Sequence, residues 1–351
     1  MSEQSPEPSR RITPALKSIL AVTARYGGAV ALSFVAVGLV MTLMGFDAFK
    51  AFTTILSTSF RTTNGFVQTL LKFVPLMLQG FAFTIPWAAR KFNIGGEGQL
   101  IAGAIGTTAV GIVFANLPPY LLLPLALLAG VVAGALWGLI PGWLLYRFNI
   151  NVILTTVLLN FVAYGLIDYI ATIVWSDPIA GHPTTIPIGR GALLPMLMKN
   201  PPLHSGIIIA LLVAVAVYIY TNRTTGGYEL IASGANPRAS KVFGINIRVL
   251  FVLSMVLAGA LAGLSGAIEV TGVQGRLIEG LHSNFAVLGR IIGLIARGSN
   301  LAVPFVAFFI AVLEVGASAM QRTMMIPVEL VFIVEAMVLL FVLLADVVRR
   351  R

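Results

Sequence analysis

The sequence contains no cysteine, little charge and no phosphate-binding loop, and each absence removes a class of function. Without cysteine, the chain cannot form disulfides, use a thiolate nucleophile or ligate a metal through sulfur. No G-x-x-x-x-G-K-[ST] motif occurs, so the chain lacks the Walker loop that cradles nucleotide phosphates. Its three histidines, His182, His204 and His282, show no metal spacing, and no serine has a base placed by a visible motif. The sequence therefore indicates neither an enzyme nor a cofactor held by this chain.

Charged residues make up only 10% of the 351 residues, whereas ordinary soluble domains contain about 25%. Hydrophobic residues reach 58% and the mean hydropathy is +0.95, which indicates an all-α polytopic membrane protein in contact with lipid. A net charge of +10 can signal nucleic-acid binding in a soluble protein. Here the basic residues lie at the ends of apolar segments, so we expect them to set topology, with no nucleic-acid partner. The polar N-terminus has no early apolar region, so a cleaved signal peptide is not expected.

About ten apolar segments are candidates to cross the roughly 30 Å of bilayer hydrocarbon as helices. They cover residues 27–45, 66–89, 100–117, 119–143, 152–174, 206–221, 249–268, 285–296, 301–319 and 327–345. We expect one transmembrane domain at 26–348 with tails at 1–25 and 349–351. Five spans before and five after the loop at 176–204 would be antiparallel, so parity predicts a 5+5 inverted repeat.

Basic residues give the orientation, because short loops rich in lysine and arginine stay in the cytoplasm. Arg10 and Arg11 precede the first span, and residues 349–351 are all arginine. Both termini are therefore predicted to be cytoplasmic. Alternation from there puts the loop at 222–249 inside and the proline-bearing loop at 176–204 outside.

The segment FNIGGEGQ, Phe92–Gln99, sets three glycines, a carboxylate and two amides between apolar segments. Irregular backbone at membrane depth persists only where protein or a water-filled cavity covers it, and an acid such as Glu97 there indicates function. Arg90 and Lys91 place its start at the cytoplasmic end of the second span, unless the chain turns back into the bilayer. We predict a substrate pathway or gate from these residues: Asn93, Gly95, Gly96, Glu97, Gly98, Gln99 and Asn160.

A structural role is the favoured alternative for the individual polar residues of this segment. Asn93 and Glu97 would cap a helix that begins near Gln99, since amides and acids favour helix N-termini. Direct contact between Glu97 and substrate is the weaker hypothesis. Aromatic faces for stacking a nucleobase are offered by Phe92, Phe161, Tyr164 and Trp87.

Two further features concern helix packing. Glycines recur at intervals of four at Gly130, Gly134, Gly138 and Gly142, and again at Gly259 and Gly263. Such smooth faces permit close approach of another helix. Packing within the chain is the favoured interpretation, and a subunit contact or a moving seam is the alternative. The charges Glu269 and Arg290 lie near membrane depth, so we predict that they form an ion pair.

The cytoplasmic loop carries the signals of one short helix. Asn236 is a candidate N-cap, Pro237 suits the first helical position, and Gly244 suits the left-handed residue after the end. These signals predict a helix at about Pro237–Phe243. Its apolar patch fits docking into a groove of a soluble partner or lying at the membrane interface, and the pattern alone does not separate the two.

Two motifs, FNIGGEGQ and GANPRASKVFGI at Gly234–Ile245, resemble the permease subunits of bacterial ABC importers of the branched-chain amino acid, ribose and nucleoside group. The resemblance extends to NVILTTVLLNFVAYGL at Asn151–Leu166, and the FNIGGEGQ form is most similar to nucleoside-type permeases. It implies an inner-membrane pore of two permease chains, and we expect the two chains to form a heterodimer. It also implies cytoplasmic ATPase subunits that use the ATP, and a periplasmic or lipid-anchored binding protein.

The resemblance further implies that the Asn-Pro loop is a coupling helix that docks on the ATPase, which favours docking over the interfacial alternative. The positions that match are Asn236, Pro237, Arg238, Ala239, Ser240, Lys241 and Gly244. Related permeases often carry a second alanine where this chain has Ser240. We therefore expect import of nucleosides or related purine compounds. Simple sugars or branched-chain amino acids are the alternative substrates, and an ion-coupled secondary transporter in which Glu97 titrates is the alternative class.

Overall fold

The computed structural model describes the backbone of residues 12–325, and of scattered positions between 330 and 344, with side chains from residue 27 onward. The described helices are α1 (Ile12–Leu43), α2 (Ala48–Arg61), α3 (Thr63–Ala88), α4 (Gly96–Val113), α5 (Pro119–Phe148), α6 (Val152–Tyr169), α7 (Gly206–Arg223), α8 (Thr225–Ala235), α9 (Pro237–Val242), α10 (Ile247–Ile268), α11 (Phe285–Ile295) and α12 (Val303–Met324). Strands β1 (Met196–Lys199) and β2 (Pro202–His204) form an antiparallel hairpin. Short π-helical turns follow α6 at Ile170–Val174 and α10 at Glu269–Gln274.

Six helical segments in the described residues are long and apolar enough to cross a membrane. They are Thr63–Ala88, Pro119–Phe148, Val152–Val174, Gly206–Arg223, Ile247–Gln274 and Val303–Met324. Gly27–Leu43 and Phe285–Ile295 are shorter apolar helices. The predicted all-α polytopic class is confirmed. Residues 12–25 of the predicted N-terminal tail form the start of α1. Residues 1–11 and 349–351, and about half of the predicted span at 327–345, lie outside the described residues.

The chain divides into two compact units, and the larger one, Leu56–Gly316, contains every site described below. Its centre is the contact between α5 and α10. A Cβ atom built on Gly134 would lie 2.3 Å from the carbonyl oxygen of Gly259, and one on Gly259 would lie 2.2 Å from that of Gly134. Only hydrogen fits at both positions. The glycine faces thus pack within the chain, as the favoured interpretation of the sequence predicted.

Helix α4 reaches the same contact, because a Cβ atom on Gly103 would lie 2.3 Å from the Cα atom of Gly263. Glycines thus let α4, α5 and α10 approach at backbone distance. These contacts fix the position of α4 along its buried face. Helix α5, by contrast, is mostly not covered by the described residues, since only 22% of its most apolar stretch is buried.

Three elements were missed at the level of sequence. Helix α2 is rich in serine and threonine, yet the hydroxyls of Thr53 and Thr54 donate to carbonyls one turn earlier, so these two hydroxyls find acceptors within the helix. Helix α8 begins at an N-cap in which the Thr224 hydroxyl accepts from the amide of Gly227 at 3.2 Å. The β1–β2 hairpin lies in the loop that proline content had marked only as turns.

Candidate functional site

The FNIGGEGQ segment does not stay at the end of α3 but turns back along it. The Asn93 amide nitrogen lies 3.5 Å from the Ala82 carbonyl oxygen, and the Gln79 amide nitrogen lies 3.5 Å from the Gly96 carbonyl oxygen. Gln79 precedes the last residue of α3 by nine positions, or about 13 Å at the rise of an α-helix. Helix α4 therefore begins well inside the length of α3. Of the two courses that the sequence left open, the chain takes the one that turns back.

Two asparagines satisfy the polar backbone at this break. The Asn160 side chain, on α6, accepts from the Gly98 amide at 2.9 Å and donates to the Ile94 carbonyl at 3.1 Å. Asn93 accepts from the Gly95 amide at 3.0 Å and donates to the Gln99 side chain at 2.9 Å. Free amides at a helix N-terminus are costly when buried, so these contacts hold both the loop and the first turn of α4 in place.

The predicted capping role of Glu97 is wrong in detail, because α4 begins at Gly96 and Glu97 lies in its first turn. Its carboxylate accepts from the Tyr164 hydroxyl and lies 4.0 Å from the Arg290 guanidinium. An acid in the first turn is also favoured by the helix dipole. Glu97 is only 7% exposed, so these partners compensate for the loss of water around the carboxylate.

The predicted ion pair between Glu269 and Arg290 is not formed. Arg290 instead lies beside Glu97 and donates to the Ile94 carbonyl at 3.1 Å, so it ties α11 to the break before α4. The ring of His282 packs against Tyr164 with centroids 4.9 Å apart. Sequence reasoning had named Tyr164 only as a stacking candidate and had not used Gln79. A glutamine inside an apolar helix was the available signal for Gln79.

The three glycines of the motif are required for space more than for unusual dihedral angles. None of Gly95, Gly96 and Gly98 has a positive φ, and Gly95 has a φ of −80°. A Cβ atom on Gly98 would lie 2.8 Å from the Trp137 indole nitrogen, and one on Gly96 would lie 2.8 Å from the Gln79 side-chain oxygen. These glycines therefore mark close packing around the break.

The structure brings the predicted pathway residues together, and all of them are buried: Asn93, Gly95, Gly96, Glu97, Gly98, Gln99 and Asn160. The aromatic candidates separate into two groups. Phe92 and Trp87 pack against each other with centroids 4.7 Å apart at the end of α3. Phe161 is 64% exposed on α6 and contacts Tyr164 edge to face.

The short helix predicted in the loop at 222–249 is confirmed as α9. The Asn236 side chain accepts from the Ala239 amide at 3.1 Å, and Gly244 has a φ of +79°. Ser240 is buried and donates to the Asn236 carbonyl at 3.0 Å, which explains how this position tolerates a serine. Val242 and Phe243 are 85% and 82% exposed, so α9 ends in an uncovered apolar patch.

Helices α8 and α9 enclose a groove of about 550 Å³ whose lining includes Tyr228, Glu229, Ala232, Asn236, Ala239 and Phe243. Helix α8 also contacts the end of α3, because a Cβ atom on Gly234 would lie 2.1 Å from the Ala88 carbonyl oxygen. The loop that turns back to Asn93 begins directly after Ala88. Thus α8 connects the exposed helix α9 to the start of the break.

An all-α membrane domain with a buried helix break is typical of a membrane transport protein. The chain belongs to the family described as branched-chain amino acid transport system permease component, whose profile matches residues 65–343. It is a permease subunit of an ABC importer, a multi-pass protein of the plasma membrane and not an enzyme. Membership implies an ATPase and a substrate-binding protein as partners.

Three relatives illustrate the range of the family. The chain is 32% identical to a glucose ABC transporter permease protein of Haloferax volcanii over 89% of this chain and 85% of the relative. It is 32% identical to a guanosine ABC transporter permease protein of Bacillus subtilis over 90% and 91%. It is 29% identical to a nucleoside ABC transporter permease protein of Lactococcus lactis over 90% and 88%.

Proposed function

We propose that this permease forms the pathway for nucleosides or related purine compounds. The observation that carries the proposal is similarity along 90% of the chain to permeases named for guanosine and for nucleosides. The exposed aromatic ring of Phe161 on α6 adds a surface on which a base can stack. A simple sugar is the second candidate substrate, because the Haloferax volcanii relative is named for glucose.

The test is uptake by the complete transporter in proteoliposomes, with the chain, a partner permease, the ATPase and the binding protein. Labelled guanosine, glucose and leucine are compared with and without ATP. We expect ATP-dependent guanosine uptake that excess adenosine reduces and glucose does not. Uptake of glucose without uptake of guanosine would contradict the nucleoside proposal and support a sugar permease. Uptake by the isolated chain under a proton gradient would contradict both.

We further propose that the break before α4 is a gate that α9 operates through the ATPase. Closure of the ATPase on the exposed patch of α9 would move α8, whose Gly234 contacts the carbonyl of Ala88. Motion there would pull on the loop that Asn93 and Asn160 hold. The proposed gate residues are Asn93, Gly95, Gly96, Glu97, Gly98, Gln99 and Asn160, and the proposed coupling residues are Asn236, Pro237, Arg238, Ala239, Ser240, Lys241 and Gly244.

We also propose ten spans arranged as a 5+5 inverted repeat, with both termini in the cytoplasm, the loop at 176–204 outside and the loop at 222–249 inside. The distribution of basic residues supports this orientation, and the inverted repeat rests on the parity of five spans on each side of the loop at 176–204. The pore is proposed to be a heterodimer with a second permease. Co-expression with differently tagged copies tests this, since a homodimer would allow one tagged copy to capture the other.

A further inference from the structure

Much of α6 and its π-helical extension is exposed, and one stripe of this exposed surface carries polar groups. Phe161, Gly165, Asp168 and Thr172 are all exposed and follow one another at intervals of three or four, so they line one side of the helix. A Cβ atom built on Gly165 would meet nothing within 4 Å. The stripe is therefore an aromatic ring, a notch, a carboxylate and a hydroxyl.

The carboxylate is the informative member of the stripe. Asp168 lies within the spanning segment Val152–Val174, six residues before its end. No hydrogen bond or ion pair engages its side chain among the described residues, and the Thr172 hydroxyl donates to the Asp168 main-chain carbonyl. An unpartnered acid facing hydrocarbon is unfavourable, so this face is suited to water or to a polar ligand.

The aromatic ring at the other end of the stripe is held in orientation. Phe161 contacts Tyr164 edge to face, with centroids 6.1 Å apart. Tyr164 in turn donates to Glu97 and packs against His282. The exposed ring thus has a fixed neighbour that leads directly to the buried break before α4.

We propose that this stripe is a ribonucleoside subsite, an inference that rests on the proposed nucleoside function. The base stacks on Phe161, the notch at Gly165 accommodates the centre of the ligand, and the vicinal hydroxyls of the ribose donate to the Asp168 carboxylate. Phe161 and Asp168 are seven residues apart, or about 10 Å along the helix, a span suited to a base joined to a ribose. Occupancy displaces Phe161 against Tyr164 and so acts on the partner of Glu97.

Because the chain has no cysteine, one introduced thiol reports on this face without background from this chain. The variant Gly165→Cys is assembled into the complete transporter and treated with a charged methanethiosulfonate reagent. We expect modification that guanosine slows at least fivefold and that leucine does not affect. Leu128→Cys, on an exposed face of α5, is the control, and guanosine should not change its modification.

Two substitutions in the Gly165→Cys background identify the contacts. Phe161→Leu should raise the guanosine concentration for half-protection about tenfold, since stacking on an aromatic ring is lost. Asp168→Ala should abolish the preference for guanosine over 2′,3′-dideoxyguanosine, since only the ribose diol uses the carboxylate. Phe305→Leu and Glu279→Gln replace comparably exposed residues elsewhere and should leave both values unchanged.

Each other outcome overturns the subsite. A thiol that reacts in the isolated chain but not in the complex would show that a second permease covers this face. A thiol that reacts in neither would show that lipid covers it, and modification that guanosine does not slow would exclude binding there. Guanosine uptake by the unmodified transporter separates the two proposals. Absence of this uptake would remove the nucleoside function itself. Uptake without protection of the introduced thiol would remove only the subsite.

Discussion

At the scale of single residues, the break before α4 depends on side chains from other helices. Asn160 comes from α6, Gln79 from α3 and Arg290 from α11, and each reaches the backbone of the same short loop. A helix that begins inside a membrane domain exposes amides with no intrahelical partner. Asn160 accepts from one such amide, that of Gly98, while Gln79 and Arg290 donate to carbonyl oxygens at the break. The break is therefore a packed and specific feature of the fold.

Replacing Asn160 with alanine should therefore destabilise the protein as well as slow transport. Two buried hydrogen bonds are lost, and a cost of about 2–3 kcal/mol in unfolding free energy is expected. Thermal unfolding in detergent and ATP-dependent uptake are the measurements. Asn222→Ala, at the exposed end of α7, is the control and should change neither. Unaltered thermal stability of the Asn160 variant would contradict the role of this side chain.

Gly98→Ala tests whether the motif glycines serve packing. The new methyl group would lie 2.8 Å from the Trp137 indole nitrogen and 3.0 Å from the Asn160 amide oxygen. Overpacking of this kind costs about 1–3 kcal/mol. We expect a lower melting temperature for this variant than for Gly226→Ala, where the nearest atom to the new methyl is 3.6 Å away. Equal melting temperatures would mean that the surroundings of Gly98 yield without cost.

His204 predicts a pH dependence of stability. It lies before α7, is 2% exposed and accepts from the Gly206 amide at 3.1 Å. Burial lowers the pKa of His204 below its ordinary value of 6.5, so the unfolded chain binds the proton more readily than the folded one. The stabilising increment is therefore complete above pH 6.5 and is lost as the pH falls below it.

His204→Asn keeps an acceptor at the same place and removes the titrating ring. We expect the difference in melting temperature between pH 7.5 and pH 5 to be smaller in this variant than in the unmodified protein. His182→Asn changes an exposed histidine and should keep the full difference. An equal pH response in the His204 variant and the unmodified protein would assign the effect to other groups.

At the scale of elements, local signals were predictable and long-range ones were not. The cap at Asn236, the proline after it and the left-handed Gly244 lie within nine residues, so the sequence specified α9 almost completely. The start of α4 depends on Asn160, more than sixty residues away, and no local pattern contains that contact. Arg290 was predicted to pair with Glu269, and the packing instead places it beside Glu97, a pairing that no local pattern contains.

The exposed end of α9 gives a prediction for assembly. Phe243 is 82% exposed and lines the groove between α8 and α9, so it is suited to fill a pocket of the ATPase. Phe243→Ser should weaken ATPase binding by about 2 kcal/mol, or roughly 30-fold in affinity. Binding of the purified ATPase to the permease in nanodiscs measures this. Phe305→Ser, at a comparably exposed position on α12, should bind normally, and normal binding by both variants would contradict docking through α9.

At the scale of the whole molecule, composition and charge decide the class, whereas similarity to known permeases decides the family. Low charge and long apolar runs require helices that satisfy their own backbone in lipid, and the described helices do so. Orientation rests on a separate argument, the placement of arginine and lysine at alternate loops. The side of the membrane on which each loop lies can be measured directly.

Single cysteines on either side of α7 provide that measurement. Ile179 is 91% exposed in the predicted outer loop, and Val242 is 85% exposed on α9. Helix α7 has 18 residues, or about 27 Å, enough to separate the two positions by one crossing. In spheroplasts, whose inner membrane is sealed, Ile179→Cys should react with a membrane-impermeant maleimide. Val242→Cys should react only after the membrane is opened. Because the chain has no other thiol, the reverse pattern would invert the proposed topology, and with it the assignment of α9 to the cytoplasmic ATPase.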